Sequence, residues 1–186
     1  MSHPTTETAV FVALLRGINV GGKHKLPMKD LAQIFTRAGG ASVTTYINSG
    51  NVFFGAAPDK AAEIAAQAER EIVAQFGFAA PIVVCSAQEA AQIAKAHPFA
   101  TPGTEAKQLY VCFLSGIPGA ELVEKLDPNR APGDVFLVQG RAVYLRLGDP
   151  ARTKISIEYF EKVLQKTATM RNWNTTQKLA ELSATP

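Results

Sequence analysis

Arg16, Asn19 and Lys23 are spaced among three glycines in the stretch Arg16-Gly17-Ile18-Asn19-Val20-Gly21-Gly22-Lys23. Cationic side chains neutralise phosphate or carboxylate, an amide hydrogen-bonds to it, and glycines let backbone N–H groups come close. The stretch follows the apolar run Ala9 to Leu15 and precedes a helical pattern near Pro27, so it reads as a strand emptying into an anion-binding loop. Gly17 to His24 also falls one residue short of the nucleotide-binding P-loop pattern. His24 stands where that pattern needs a hydroxyl to hold magnesium, and Pro27 delays the helix, so the P-loop is set aside.

Two further segments carry similar groups. Asn48-Ser49-Gly50-Asn51 is a hairpin-turn signal that also supplies amides and backbone donors. Arg171-Asn172-Trp173-Asn174 pairs a guanidinium with the only tryptophan, a combination that grips a base or sugar by stacking while amides hydrogen-bond it. Asn172 or Asn174 caps the last helix, and Asn174 with Gln177 fits a capping box. Catalytic constellations are thin. His3 lies at the N-terminus, His97 precedes Pro98 at a helix stop, and His24 has no acid beside it in sequence. The three segments hold no paired carboxylates, and no Cys/His cluster has metal spacing, so neither a metal nor another cofactor is expected.

The elements that must position these residues follow from apolar periodicity. Ala9 to Leu15 is a strand; Met28, Leu31, Ile34, Phe35 and Ala38 recur at helical spacing up to Gly39-Gly40; Ser42 to Ile47 alternates as a strand. After the Asn48 to Asn51 turn, Val52-Phe53-Phe54 returns, a helix runs from Pro58-Asp59 to Gly77, and Pro81 to Cys85 is a fourth strand. This βαββαβ order predicts a ferredoxin-like unit over residues 8–86. In that topology Asn51 lies beside the end of the first strand, which brings the 48–51 turn to the 16–23 loop. Residues 87–186 read as a second, degraded ferredoxin-like α+β unit, closely packed on the first. It comprises a linking helix from Ser86, a strand at Leu109 to Leu114, a short helix after Pro118, a hairpin at Val135 to Leu147, a helix around Phe160 and a final helix. The first and fifth strands are apolar at successive positions, so both faces of each must be covered.

Leu14 to Lys23, Thr45 to Val52, and Arg171-Asn172-Trp173-Asn174-Thr175 with Lys178-Leu179-Ala180 resemble the signature segments of a bacterial domain-of-unknown-function family, number sixteen ninety-seven. The resemblance runs in order from about Val10 to Leu182, with His24 standing where many members carry Asn. It implies a small two-part α+β protein and no particular activity.

At 186 residues and 47% hydrophobic content the chain can build one large or two small cores. No run approaches a membrane span and the first residues lack a signal-peptide pattern, so a cytoplasmic protein is expected, with Cys85 and Cys112 as buried thiols. The net charge is +3, but Arg141 to Lys178 holds eight basic and three acidic residues, a local +5 (8 − 3). The leading functional expectation is a module that binds a nucleotide, phosphate or nucleic acid at a composite site of Arg16, Gly17, Asn19, Gly21, Gly22, Lys23, Asn48, Ser49, Gly50, Asn51, Arg171, Asn172, Trp173 and Asn174. One alternative is phosphoryl or acyl transfer with His24 or Ser49 as the reacting group. Another is a structural or partner-binding protein with Arg171 as a clasp. The sequence does not fix the oligomeric state.

Overall fold

The computed structural model describes residues 8–184. Chain contacts divide it into a unit ending at Ala87 and a unit beginning at Gln88. In the first, β1 (Ala9–Leu15) leads through a loop to α1 (Met28–Arg37), then β2 (Ala41–Tyr46), β3 (Asn51–Ala56), α2 (Ala61–Phe76) and β4 (Ile82–Ser86). The sheet order is β2-β3-β1-β4, and every neighbouring pair is antiparallel. Strand β1 is an inner strand, and its residues Val12 to Leu15 are buried on both faces, while Val10 near its start is 50% exposed. Ala13 and Leu15 join the core with Val52 and Phe54 under Leu31, Ile34 and Phe35 of α1 and Ile64, Ala68 and Ile72 of α2. Val12 and Leu14, on the opposite face of the strand, are buried as well.

Local chemistry sets the ends of these elements. Gly77 closes α2 in the left-handed conformation at φ 75°, its N–H donating to the Val73 carbonyl. Arg37, in the last turn of α1, reaches Glu71 of α2 through both Nε (3.1 Å) and Nη2 (2.9 Å). Strand β2 starts and ends one residue earlier than its alternation predicts and is less regular. Its pairing with β3 shifts register between Ala41 and Thr44, next to Ser42 at φ 48°. It ends at Tyr46, and Ile47 leaves the strand.

The second unit starts with α3 (Ala87–Lys95; its first residue closes the first unit) and a single 3-10 turn at Ala106–Gln108. Then come β5 (Leu109–Leu114), α4 (Ala120–Val123), β6 (Val135–Gln139), β7 (Ala142–Arg146), α5 (Ile157–Leu164), β8 (Ala168–Asn172) and α6 (Trp173–Ser183). From β5 to β8 this is βαββαβ again, and its order β6-β7-β5-β8 repeats that of the first sheet with all pairs antiparallel. Its core joins Cys112, Leu114, Val143 and Leu145 of the sheet to Phe160 and Leu164 of α5. No helix among the described residues is long and apolar enough to cross a membrane.

Candidate functional site

The loop after β1 is a finger rather than a cradle. Leu15 donates its N–H to the Gly50 carbonyl (2.8 Å) and Arg16 donates to Pro81 (3.0 Å), which fixes the root of the loop between β3 and β4. Gly17, at φ 74°, turns the chain outward. Val20 then bridges Lys23, with the Lys23 N–H donating to the Val20 carbonyl at 3.0 Å. Gly21 (φ 58°) and Gly22 (φ 75°) form the two-residue tip, the left-handed pair that a type I′ hairpin requires. One step down, the Asn19 N–H donates to the His24 carbonyl (3.1 Å). Lys23 therefore stands in a miniature hairpin and α1 begins only at Met28, which removes the P-loop geometry altogether.

Asn19 clasps this finger. Its Nδ2 donates to the carbonyls of Leu26 (2.9 Å) and Asn48 (2.9 Å), while its Oδ1 accepts from the Leu26 N–H (2.8 Å). The bond to Asn48 ties the finger to the β2–β3 turn, so the structure joins two of the three expected segments. Asn51 lies in β3, paired opposite Leu14, not in the turn. It is fully buried, with Nδ2 donating to the Tyr46 carbonyl and to Ser49 Oγ, both at 3.0 Å. The amides of Asn19 and Asn51 thus hold the finger and the turn in shape, where the sequence assigns them to a ligand. Gly50 is required by space as well as by φ (75°). A Cβ there would meet Leu15 Cβ at 2.7 Å and Ile18 Cδ1 at 2.8 Å.

The groups this end leaves exposed include Gly17, Gly21, Gly22, Lys23, His24, Lys25, Asn48 and Ser49, with Val20 (68% exposed) and Ile47 (47%) among them. Arg16 is half-buried at the root. The His24 ring bonds through Nδ1 to the Gly17 carbonyl (2.9 Å), so Nδ1 carries the proton, and it stacks on Phe78 at 4.6 Å. Seven of the fourteen positive-φ positions among the described residues lie at this end: Gly17, Asn19, Gly21, Gly22, His24, Ile47 and Gly50. Ile47 at φ 49° is the costliest, because a β-branched side chain crowds the backbone there. Sequence reasoning passes over Lys25 and Ile47. The alternation of Lys23 with Lys25 along a hairpin arm is the signal that points to the first.

The third segment belongs to the second unit. Arg171, in β8 opposite Val111, is buried, and its Nη1 donates to Thr169 Oγ1 (2.8 Å) and the Met170 carbonyl (3.0 Å). Burial pushes its guanidinium down to about 10, so it stays charged at neutral pH. Asn172 is the N-cap of α6, its Oδ1 accepting from the Thr175 N–H at 2.9 Å. Asn174 is an exposed residue inside the helix, which corrects the alternative cap and its capping box. Trp173 meets His97 edge-on at 4.8 Å. His97 is itself buried; its Nδ1 accepts from the Phe99 N–H (3.3 Å) and its Nε2 lies 3.2 Å from the Tyr110 carbonyl. An Nδ1 that accepts leaves the proton on Nε2, and desolvation keeps the ring below the ordinary histidine value.

Two βαββαβ units, each with a four-stranded antiparallel sheet, define an α+β protein whose exposed, clasped finger stands at one end of the first sheet. Residues 9–144 match the model of a family of proteins of unknown function, DUF1697, and the chain belongs to that family. The matched range takes in the first two signature segments and ends before Arg171. No curated protein matches the chain. The conserved bacterial protein SP0830 from Streptococcus pneumoniae has a similar fold, with a TM-score of 0.63 and 23% identity over 95% of this chain and 99% of that one.

Proposed function

We propose that the finger at 18–25, with the turn at 47–50, is the ligand-binding surface of this protein, and that its ligand is the phosphate backbone of a nucleic acid. The observation that carries this reading is exposed positive charge on a stiff support. Residues 18–25 hold Lys23 and Lys25 and no acid, and residues 41–56 hold no charged residue at all. The clasp of Asn19 and the strained turn hold exposed Lys23 and Lys25 on a projecting hairpin. A projecting cationic finger suits an extended polyanion better than a mononucleotide, which asks for a concave pocket. Val20 and Ile47 add apolar contact for sugars or bases.

The test is fluorescence anisotropy of a labelled single-stranded oligonucleotide titrated with protein across a range of salt. Binding weakens as salt rises, and replacing both Lys23 and Lys25 by Ala lowers the slope of log K against log salt by about 1.4, two phosphate contacts at ~0.7 each. Both lysines are exposed, so the fold survives the change. No binding at low salt, or an unchanged slope in the double variant, overturns the reading.

A further inference from the structure

The second unit contains a depression of about 540 Å³ that the proposed nucleic-acid surface does not use. It lies between α3 and α6, with His97 and Ala100 also in its lining. Along α6 its wall is one helical stripe: Trp173, Gln177, Ala180, Glu181 and Ala184. Ala91 and Ala94 of α3 form the other wall. Small residues on both walls leave unfilled a volume in the range of small-ligand sites.

The polar groups around this space are unevenly committed. Both His97 nitrogens are engaged with backbone, which keeps that ring uncharged. The Glu181 carboxylate is paired with Lys178 at 2.8 Å. Lys95, exposed at the rim, has no ion-pair partner among the described residues. The remaining polar side chain, Gln177, carries an amide that donates to an anion. We propose that this depression binds a small amphipathic anion, its flat apolar body against the Trp173 ring and the alanines and its carboxylate or sulfonate against Lys95 and Gln177. Aromatic rings take flat partners well, and one cation at an apolar rim selects the sign of the head group.

Trp173 is the only tryptophan in the chain, so its emission reports from the wall of this site. The probe is 1-anilinonaphthalene-8-sulfonate, a flat apolar body with one sulfonate, titrated into the full chain. Energy transfer from Trp173 to the probe saturates at one equivalent. Ala180→Phe fills the space and abolishes the transfer, while an unchanged urea transition shows that the unit still folds. Lys95→Gln weakens the probe about fivefold, the loss of one partly screened ion pair. Should Ala180→Phe fail to fold, the Lys95 variant decides alone. Non-saturating transfer, or affinity unchanged in Lys95→Gln, overturns the proposal. So does Trp173 emission that shifts with protein concentration in the absence of probe, because the occupant is then a second copy of the chain.

Discussion

Gly22 and Gly50 share a φ of 75° and differ in what surrounds them, which makes a matched pair of perturbations. A Cβ on Gly22 meets nothing within 4 Å, whereas on Gly50 it meets Leu15 Cβ at 2.7 Å and Ile18 Cδ1 at 2.8 Å. Alanine in the left-handed region costs roughly 1–2 kcal/mol at either position. Overpacking a filled site adds about 1–3 kcal/mol at Gly50 alone, since both neighbours are themselves buried. Gly22→Ala is therefore expected to lose about 1–2 kcal/mol and Gly50→Ala about 2–5. Native-state hydrogen exchange of the β1 and β3 amides measures this where it matters. The extra term lowers their protection by about five- to 150-fold more in Gly50→Ala than in Gly22→Ala. Equal losses in the two variants refute the claim that Gly50 is fixed by the approach of Leu15 and Ile18, and with it the packed joint between finger and turn.

Asn19→Ala removes three hydrogen bonds at about 1 kcal/mol each and is expected to lower stability by about 2–4 kcal/mol, read as a drop in the urea midpoint. It also weakens oligonucleotide binding although Asn19 faces no ligand. Desolvation holds His97 below 6.5, so between its folded value and 6.5 the unfolded chain binds a proton that the folded unit refuses. Stability of the second unit therefore falls as pH drops through 6.5, and His97→Gln flattens that dependence. Thermal midpoints followed by Trp173 emission at about pH 8 and about pH 5 check both statements.

The fold was largely legible because its main signals are local. Apolar spacing places α1 and α2, Gly77 closes α2, and the element order gives the neighbours of β1. The register joining Leu14 to Asn51 even brings the finger beside the turn. What spacing could not convey is which polar atoms the fold consumes. Asn19 and Asn51 look like ligand donors because free amides hydrogen-bond anything. Only three-dimensional placement shows Asn51 buried under Ser49 and Asn19 spent on Leu26 and Asn48. The Gly21-Gly22 pair was ambiguous for a similar reason: the same residues serve an anion nest and a hairpin tip, and the Val20–Lys23 bridge decides between them. The alternation of Val43, Thr45 and Ile47 carries the strand pattern on to Ile47, and the turn overrides it by ending the strand at Tyr46 with Ile47 at φ 49°.

The root of the finger has a consequence for synthesis. Asn19 finds Leu26 within seven residues and Asn48 within twenty-nine, but the Arg16 N–H waits for Pro81, sixty-five positions later (81 − 16). A nascent chain can close the hairpin tip early, yet it cannot seat the hairpin on the sheet until β4 has emerged and aligned Ile82 with Leu15. Products cut short before Pro81 carry every exposed lysine of the finger and lack the strand that seats it. Occupancy of the surface by ligand would then report that the first unit has been made to its end.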